Sequence, residues 1–133
     1  MKTVLGTAVL CVLTVSLAAF PQKHPPVASG VPETSAKDLH SMLGAKGKVL
    51  VLDVRTPEEY AKGHIPGAVN VPIDKLSPQI QEMHITKETT IVTTCDRGGR
   101  SSRAALELRK MGYQATSFCR IEEWQKDGYK IKK

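Results

Sequence analysis

Thr89-Thr90-Ile91-Val92-Thr93-Thr94-Cys95-Asp96-Arg97-Gly98-Gly99-Arg100-Ser101 holds a strand, a tight loop and the start of a helix in one run. Thr89 to Thr94 is β-branched throughout, which favours extended backbone. It delivers Cys95 at its carboxyl end. Gly98 and Gly99 let the next residues curl so that successive N–H groups face one concavity, a nest for an anion. From Ser101 to Met111, Ala104, Ala105, Leu108 and Met111 fall on one helical face, with Arg109 and Lys110 in the last turn and Gly112 as the stop.

Outward from this run the same alternation recurs. Thr34 or Ser35 can cap a first helix that carries Leu39, Met42 and Leu43 on one face and stops at Gly44. Lys48-Val49-Leu50-Val51-Leu52-Asp53 is a continuous apolar run ending in a carboxylate, as in a strand buried on both faces. Thr56-Pro57-Glu58-Glu59 reads as a capping box with proline at the first helical position, and Gly63 ends the short helix. Ala68 to Val71 is a second extended piece, stopped by Pro72. Ile73, Leu76, Ile80 and Met83 have helical spacing, which Pro78 must break or restart. Tyr113 to Phe118 is a last strand, and Ile121 to Lys126 a last helix around Trp124. Strands alternating with helices predict an α/β domain with a mostly parallel sheet. Chemistry in such sheets gathers beyond the carboxyl ends of the strands, where Asp53, Cys95 and Cys119 all stand.

The loop after Cys95 favours thiolate over thiol. The nest and the helix start offer unpaired N–H groups and a positive dipole end. Arg97, Arg100 and Arg103 add cations, opposed by Asp96 alone. Such a thiolate can take sulfur from a donor, hold it and pass it on. A buried, inert cysteine would leave the crowd of glycine and arginine unexplained.

Asp53-Val54-Arg55, Pro57-Glu58-Glu59-Tyr60, Gly63-His64-Ile65-Pro66-Gly67-Ala68 and Asn70-Val71-Pro72 resemble the N-terminal signature of the rhodanese superfamily. Cys95-x-x-Gly98-x-Arg100-Ser101, followed by Ala104-Ala105, is similar to its active-site loop. The resemblance implies one rhodanese domain: a five-stranded, mostly parallel sheet with helices on both faces. It implies transfer of sulfane sulfur from thiosulfate or a related small anion to cyanide or a thiol through a Cys95 persulfide, with the backbone amides of Asp96, Arg97, Gly98, Gly99, Arg100 and Ser101 as the cradle. Arg103, Asp53 and Arg55 are accessory candidates: Asp53 can orient Arg55 or brace the loop, and Arg55 can reach Glu59. His64 reads as a hydrogen-bonded loop residue rather than a base. Where family members commonly carry a Gly-Gly pair before Ile-x-x-Trp, this chain has Cys119-Arg120, so Cys119 is a candidate to resolve or pair with Cys95.

Two rivals share the scaffold. A phosphatase or arsenate reductase resembles Cys-x5-Arg, whereas Arg100 arrives after four intervening residues, a loop fitted to one sulfur atom rather than a tetrahedral oxyanion. A persulfide carrier that loads once without cycling would share the cradle.

The 133 residues allow one domain of ordinary size. Lys2 followed by the apolar stretch Val4 to Leu17, with Ser16 and Ala18 as small residues, reads as an export signal over residues 1–18. The alternative is an uncleaved membrane anchor. Residues 19–33 hold Pro21, Pro25, Pro26 and Pro32 and read as a linker, leaving 34–133 as the domain. An exported rhodanese resembles the small periplasmic enzymes of the phage-shock type, which implies a periplasmic or secreted location. The formal charge of +6 comes from scattered basic residues without a nucleic-acid motif. His24, His40, His64 and His84 show no metal-ligand spacing, and neither metal nor organic cofactor is expected.

Overall fold

The computed structural model describes residues 30–118 and 120–133. The expected signal, most of the linker and Cys119 lie outside the described residues.

The elements alternate as read. They are α1 (Ala36–Gly44), β1 (Val49–Asp53), α2 (Pro57–Lys62), β2 (Val69–Asn70), a 3-10 turn (Ile73–Lys75), α3 (Leu76–Glu82), β3 (Thr90–Thr94), α4 (Gly99–Lys110), β4 (Gln114–Phe118) and α5 (Ile121–Lys126). The sheet runs β2-β1-β3-β4, and every neighbouring pair is parallel. Four strands stand where five were expected. The fifth position, beside β4, is filled by a single parallel bridge between Glu33 and Ser117. There Ser117 N–H donates to the Pro32 carbonyl at 3.0 Å, and Thr34 N–H donates to the Ser117 carbonyl at 2.9 Å. Val31 is buried in the core. The last residues assigned to the linker, 31–33, are therefore packed and paired with the domain.

Alternation along the strands sends side chains to two cores. Leu52 and Ile91 pack with Leu76, Ile80, Ala104, Ala105 and Leu108 on the α3/α4 face. Val51 and Val92 pack with Leu39, Ile65, Phe118, Ile121 and Trp124 on the α1/α5 face. Strands covered on both sides explain the continuous apolar runs, and helices do lie on both faces.

Local signals account for the element ends. Ser35 rather than Thr34 caps α1, its Oγ accepting from Asp38 N–H. Thr56 and Glu59 form the reciprocal capping box at α2. Pro78 restarts the helix instead of breaking it. The 3-10 turn gives way to α3 at Leu76, so Pro78 falls in the first turn, where its missing N–H has no intrahelical partner to lose. The helix after Cys95 begins at Gly99, before Ser101, because Gly98 takes the left-handed conformation (φ 90°) at its N-cap. That early start folds the second half of the expected loop, Gly99 to Ser101, into the first turn of α4.

Candidate active site

β3 ends at Thr94 and presents Cys95 to the N-terminus of α4, with the thiol fully buried at the base of the loop. Two amides converge on it. Gly98 N–H lies 3.1 Å and Ser101 N–H 3.4 Å from Cys95 Sγ. The thiol donates to Ser101 Oγ at 3.3 Å, and the Ser101 hydroxyl donates to the Gly98 carbonyl at 3.1 Å. Of the six loop amides expected to form the cradle, those of Gly98 and Ser101 stand against the sulfur, beside the Ser101 hydroxyl. A cleft of about 390 Å³ opens over Cys95, lined by Glu59, Asp96, Arg97, Gly99 and Arg100.

The carboxyl end of β1 supports this loop through one guanidinium. Arg55, 5% exposed, donates to both oxygens of the fully buried Asp53, at 2.9 and 3.1 Å from Nε and 2.6 Å from Nη2. Nη2 also reaches the Gly63 carbonyl at 2.7 Å, and Nη1 reaches Asp96 Oδ1 at 3.3 Å. Burial works against the Arg55 charge, but the Asp53 hydrogen bonds and charge outweigh it and raise its pKa. Of the two roles open to Asp53, orienting Arg55 is the one observed. Asn70 completes the corner, its amide donating to the Asp53 and Arg55 carbonyls at 3.0 and 2.9 Å.

Glu59 does not pair with Arg55. Its carboxylate takes both ends of the Arg100 guanidinium, at 2.7 and 2.9 Å, while one oxygen also accepts from Thr56 N–H. The Arg55 side chain is drawn inward by Asp53, so Glu59 is left to the arginine that α4 brings across. Arg100 holds the Glu59 carboxyl well below the usual carboxylate range. Asp96 lies between the two arginines, 3.3 Å from Arg55 and 3.6 Å from Arg100. Burial first, and then the neighbouring Glu59, push its carboxyl up from the ordinary value.

The three loop arginines thus part ways. Arg97 is exposed and lines the cleft over Cys95 and a neighbouring one with Asp96, Arg120 and Glu122. Arg100 is held by Glu59. Arg103 stands exposed on α4 and does not line either cleft. His64 is buried, with Nδ1 3.0 Å from the Tyr60 carbonyl and its ring stacked on Tyr60 at 3.7 Å, a structural setting away from the thiol's contacts. Cys119 lies outside the described residues, so its relation to Cys95 is not defined. Among the described residues no cluster of histidine, cysteine or carboxylate side chains is placed to hold a metal ion, and no helix is long and apolar enough to cross a membrane.

Sequence reasoning missed the Glu59–Arg100 pair and the hydroxyls around Cys95. Ser117 had a signal: it occupies an inward position of a buried strand, in step with the core residue Ala115. The partner exchange between Arg55 and Arg100 had none, because it depends on how two distant segments meet.

A parallel α/β domain that holds a buried thiol against helix-start amides defines a class of group-transfer proteins. Residues 35–126 match the rhodanese-like domain family, and the chain belongs to it. A Bacillus subtilis relative with a sulfur-carrier name is 34% identical over 87 residues, covering 65% of this chain and 46% of that protein. The chain thus spans about half the length of that relative. A human thiosulfate:glutathione sulfurtransferase is 33% identical over 97 residues, 64% of this chain and 84% of that protein. A rhodanese-related protein from Thermoplasma volcanium superposes with a TM-score of 0.67 at 26% identity, covering 76% of this chain and 97% of that one.

Two substitutions test this frame. Arg55→Ala leaves Asp53 buried without its cation and is expected to cost about 3–5 kcal/mol, read as a lowered denaturant midpoint. Glu59→Gln removes the charge pair with Arg100 and is expected to cost about 1 kcal/mol near neutral pH. A depressed carboxylate stabilises the fold above its unfolded titration and loses that effect as pH falls through its folded one. The gap between wild type and Glu59→Gln should therefore close in strong acid; a gap that stays constant with pH would contradict the assignment.

Proposed function

We propose that this protein is a sulfurtransferase that moves sulfane sulfur from thiosulfate, or a similar small anion, to a thiol or cyanide through a persulfide on Cys95. The observation that carries the reading is the convergence of Gly98 N–H, Ser101 N–H and the Ser101 hydroxyl on Cys95 Sγ. The two N–H groups fit an anionic sulfur, whether the thiolate or the outer atom of the persulfide, and the hydroxyl, an acceptor from the neutral thiol, can turn to donate to it.

In the first half-reaction the Cys95 thiolate attacks the outer sulfur of thiosulfate. The donor's S–S bond breaks, sulfite leaves with the bonding pair, and Cys95 carries the persulfide. An acceptor thiolate or cyanide then attacks the outer sulfur and restores the Cys95 thiolate. Arg97, exposed at the mouth of the cleft, supplies the cation for the donor's sulfonate end.

Arg100 speaks against the oxyanion-binding rivals. In a phosphatase-like site an arginine must address the substrate, and here its guanidinium is engaged at both ends by Glu59. The name of the Bacillus relative supports the carrier reading, which shares the first half-reaction and lacks the second. The positive, apolar and small-residue pattern of residues 1–18 supports export of this activity, with an uncleaved membrane anchor as the alternative.

Mixing the protein with thiosulfate should add one sulfur atom by intact mass, and Cys95→Ser should add none. Wild type that gains no sulfur overturns the proposal. Repeated turnover with thiosulfate and cyanide or a small thiol separates the enzyme from a carrier, which stops after one loading. Asp96→Asn removes a negative charge from the rim and should lower the thiosulfate KM by about fivefold at low salt. The wild-type KM should approach that of Asp96→Asn as pH falls, because protonating Asp96 removes the same charge. Equal KM values throughout would place Asp96 outside the donor's field.

A further inference from the structure

Behind Cys95 the hydroxyl contacts continue one layer deeper. Ser101 and Ser117 are both fully buried, and the Ser117 hydroxyl donates to Ser101 Oγ at 2.8 Å. Ser101 Oγ is therefore an acceptor from Ser117 and from the Cys95 thiol, and a donor to the Gly98 carbonyl. That last bond is dispensable. The Gly98 carbonyl already accepts from Ser102 N–H at 3.0 Å and from the Ser102 hydroxyl at 2.7 Å, which fills both lone pairs.

We infer that Ser117 is a positioning residue for the sulfur chemistry, acting through Ser101 as a two-hydroxyl relay that ends on Cys95 Sγ. Once the Cys95 proton is lost to water, the sulfur needs donors instead of an acceptor. The Ser101 hydrogen turns from the Gly98 carbonyl to Sγ, 3.3 Å away. No buried group is orphaned by the turn, because Ser102 keeps the carbonyl satisfied. Ser117 continues to donate into Ser101 Oγ, and successive donors in a chain polarise one another inside a dry interior. A donor to a charged sulfur is also stronger than one to a neutral group.

The location of Ser117 suits this task. Its N–H and carbonyl are both held by Pro32 and Thr34, so its hydroxyl is aimed from a fixed backbone. Thr93, its partner in register, uses its own hydroxyl on the Ser101 and Thr116 carbonyls, which pins the backbone of Ser101 at the same level.

The inference rests on Cys95 being the sulfur-carrying nucleophile, but its first test does not require turnover. In the full chain, the rate of iodoacetamide capture at Cys95 is followed against pH by peptide mass. Ser117→Thr and Ser117→Val have nearly the same shape and differ in the hydroxyl, so they share any packing cost. Near neutral pH the valine variant should react about fivefold more slowly than the threonine variant, which should approach wild type. The difference should fade in alkali, where the thiol ionises without help. Thiosulfate turnover should show the same contrast in kcat with little change in KM. Threonine and valine variants that react alike at neutral pH would overturn the relay, as would a difference that persists unchanged in alkali. Should wild type never load sulfur, the sulfurtransferase reading falls while the alkylation contrast still decides the relay.

Discussion

A buried guanidinium sets the geometry of this molecule. Arg55 ties the carboxyl end of β1, the end of α2 at Gly63 and the first residue after Cys95 into one cluster. The first two lie within eight residues of Arg55 in sequence, and the third, 41 residues on, is the long-range contact. Burying an arginine is costly, and the cost is offset here by a two-oxygen pairing to Asp53 and two further acceptors. Lysine has one nitrogen and could not span the three directions. With Arg97 at the mouth of the cleft, the charges around the site balance, Arg55, Arg97 and Arg100 against Asp53, Asp96 and Glu59.

That balance shapes the chemistry at Cys95. The loop cations suggest a strongly positive site, yet Arg100 is matched by Glu59 and Arg55 by Asp53. The direct support of the sulfur is local and short-ranged, coming from two amides and one hydroxyl at the start of α4. Short-range donors suit the proposed transfer, in which charge would move between two sulfur atoms and the departing sulfite. In the proposed reaction they would hold the sulfur after the donor has gone, without binding the leaving anion itself.

Much of this was legible in the chain. The β-branched run before Cys95, the apolar run before Asp53 and the capping box at Thr56 each specify their element locally, and each is present. Gly98 and Gly99 foretold the curl of the loop, although α4 absorbs more of it than the glycines alone suggest. The pairing of charges was not legible. Whether Glu59 meets Arg55 or Arg100 depends on how closely α4 packs over α2, which no local pattern encodes. The source of the bridge beside β4 was hidden for a related reason. Residues 31–33 lack alternation and include Pro32, so they look like linker, and only the open edge of β4 recruits them into the sheet.

That recruitment has a mechanical consequence. The chain enters the domain by clamping both backbone groups of Ser117 between Pro32 and Thr34. Tension on the preceding segment, directed along the strand, loads these bonds in shear. Tension directed away from the sheet peels them one at a time. Either way the bonds that give are those of Ser117, whose hydroxyl stands two hydrogen bonds from the sulfur. The clamp on the entering chain and the hydroxyl chain behind Cys95 therefore meet in one residue, Ser117.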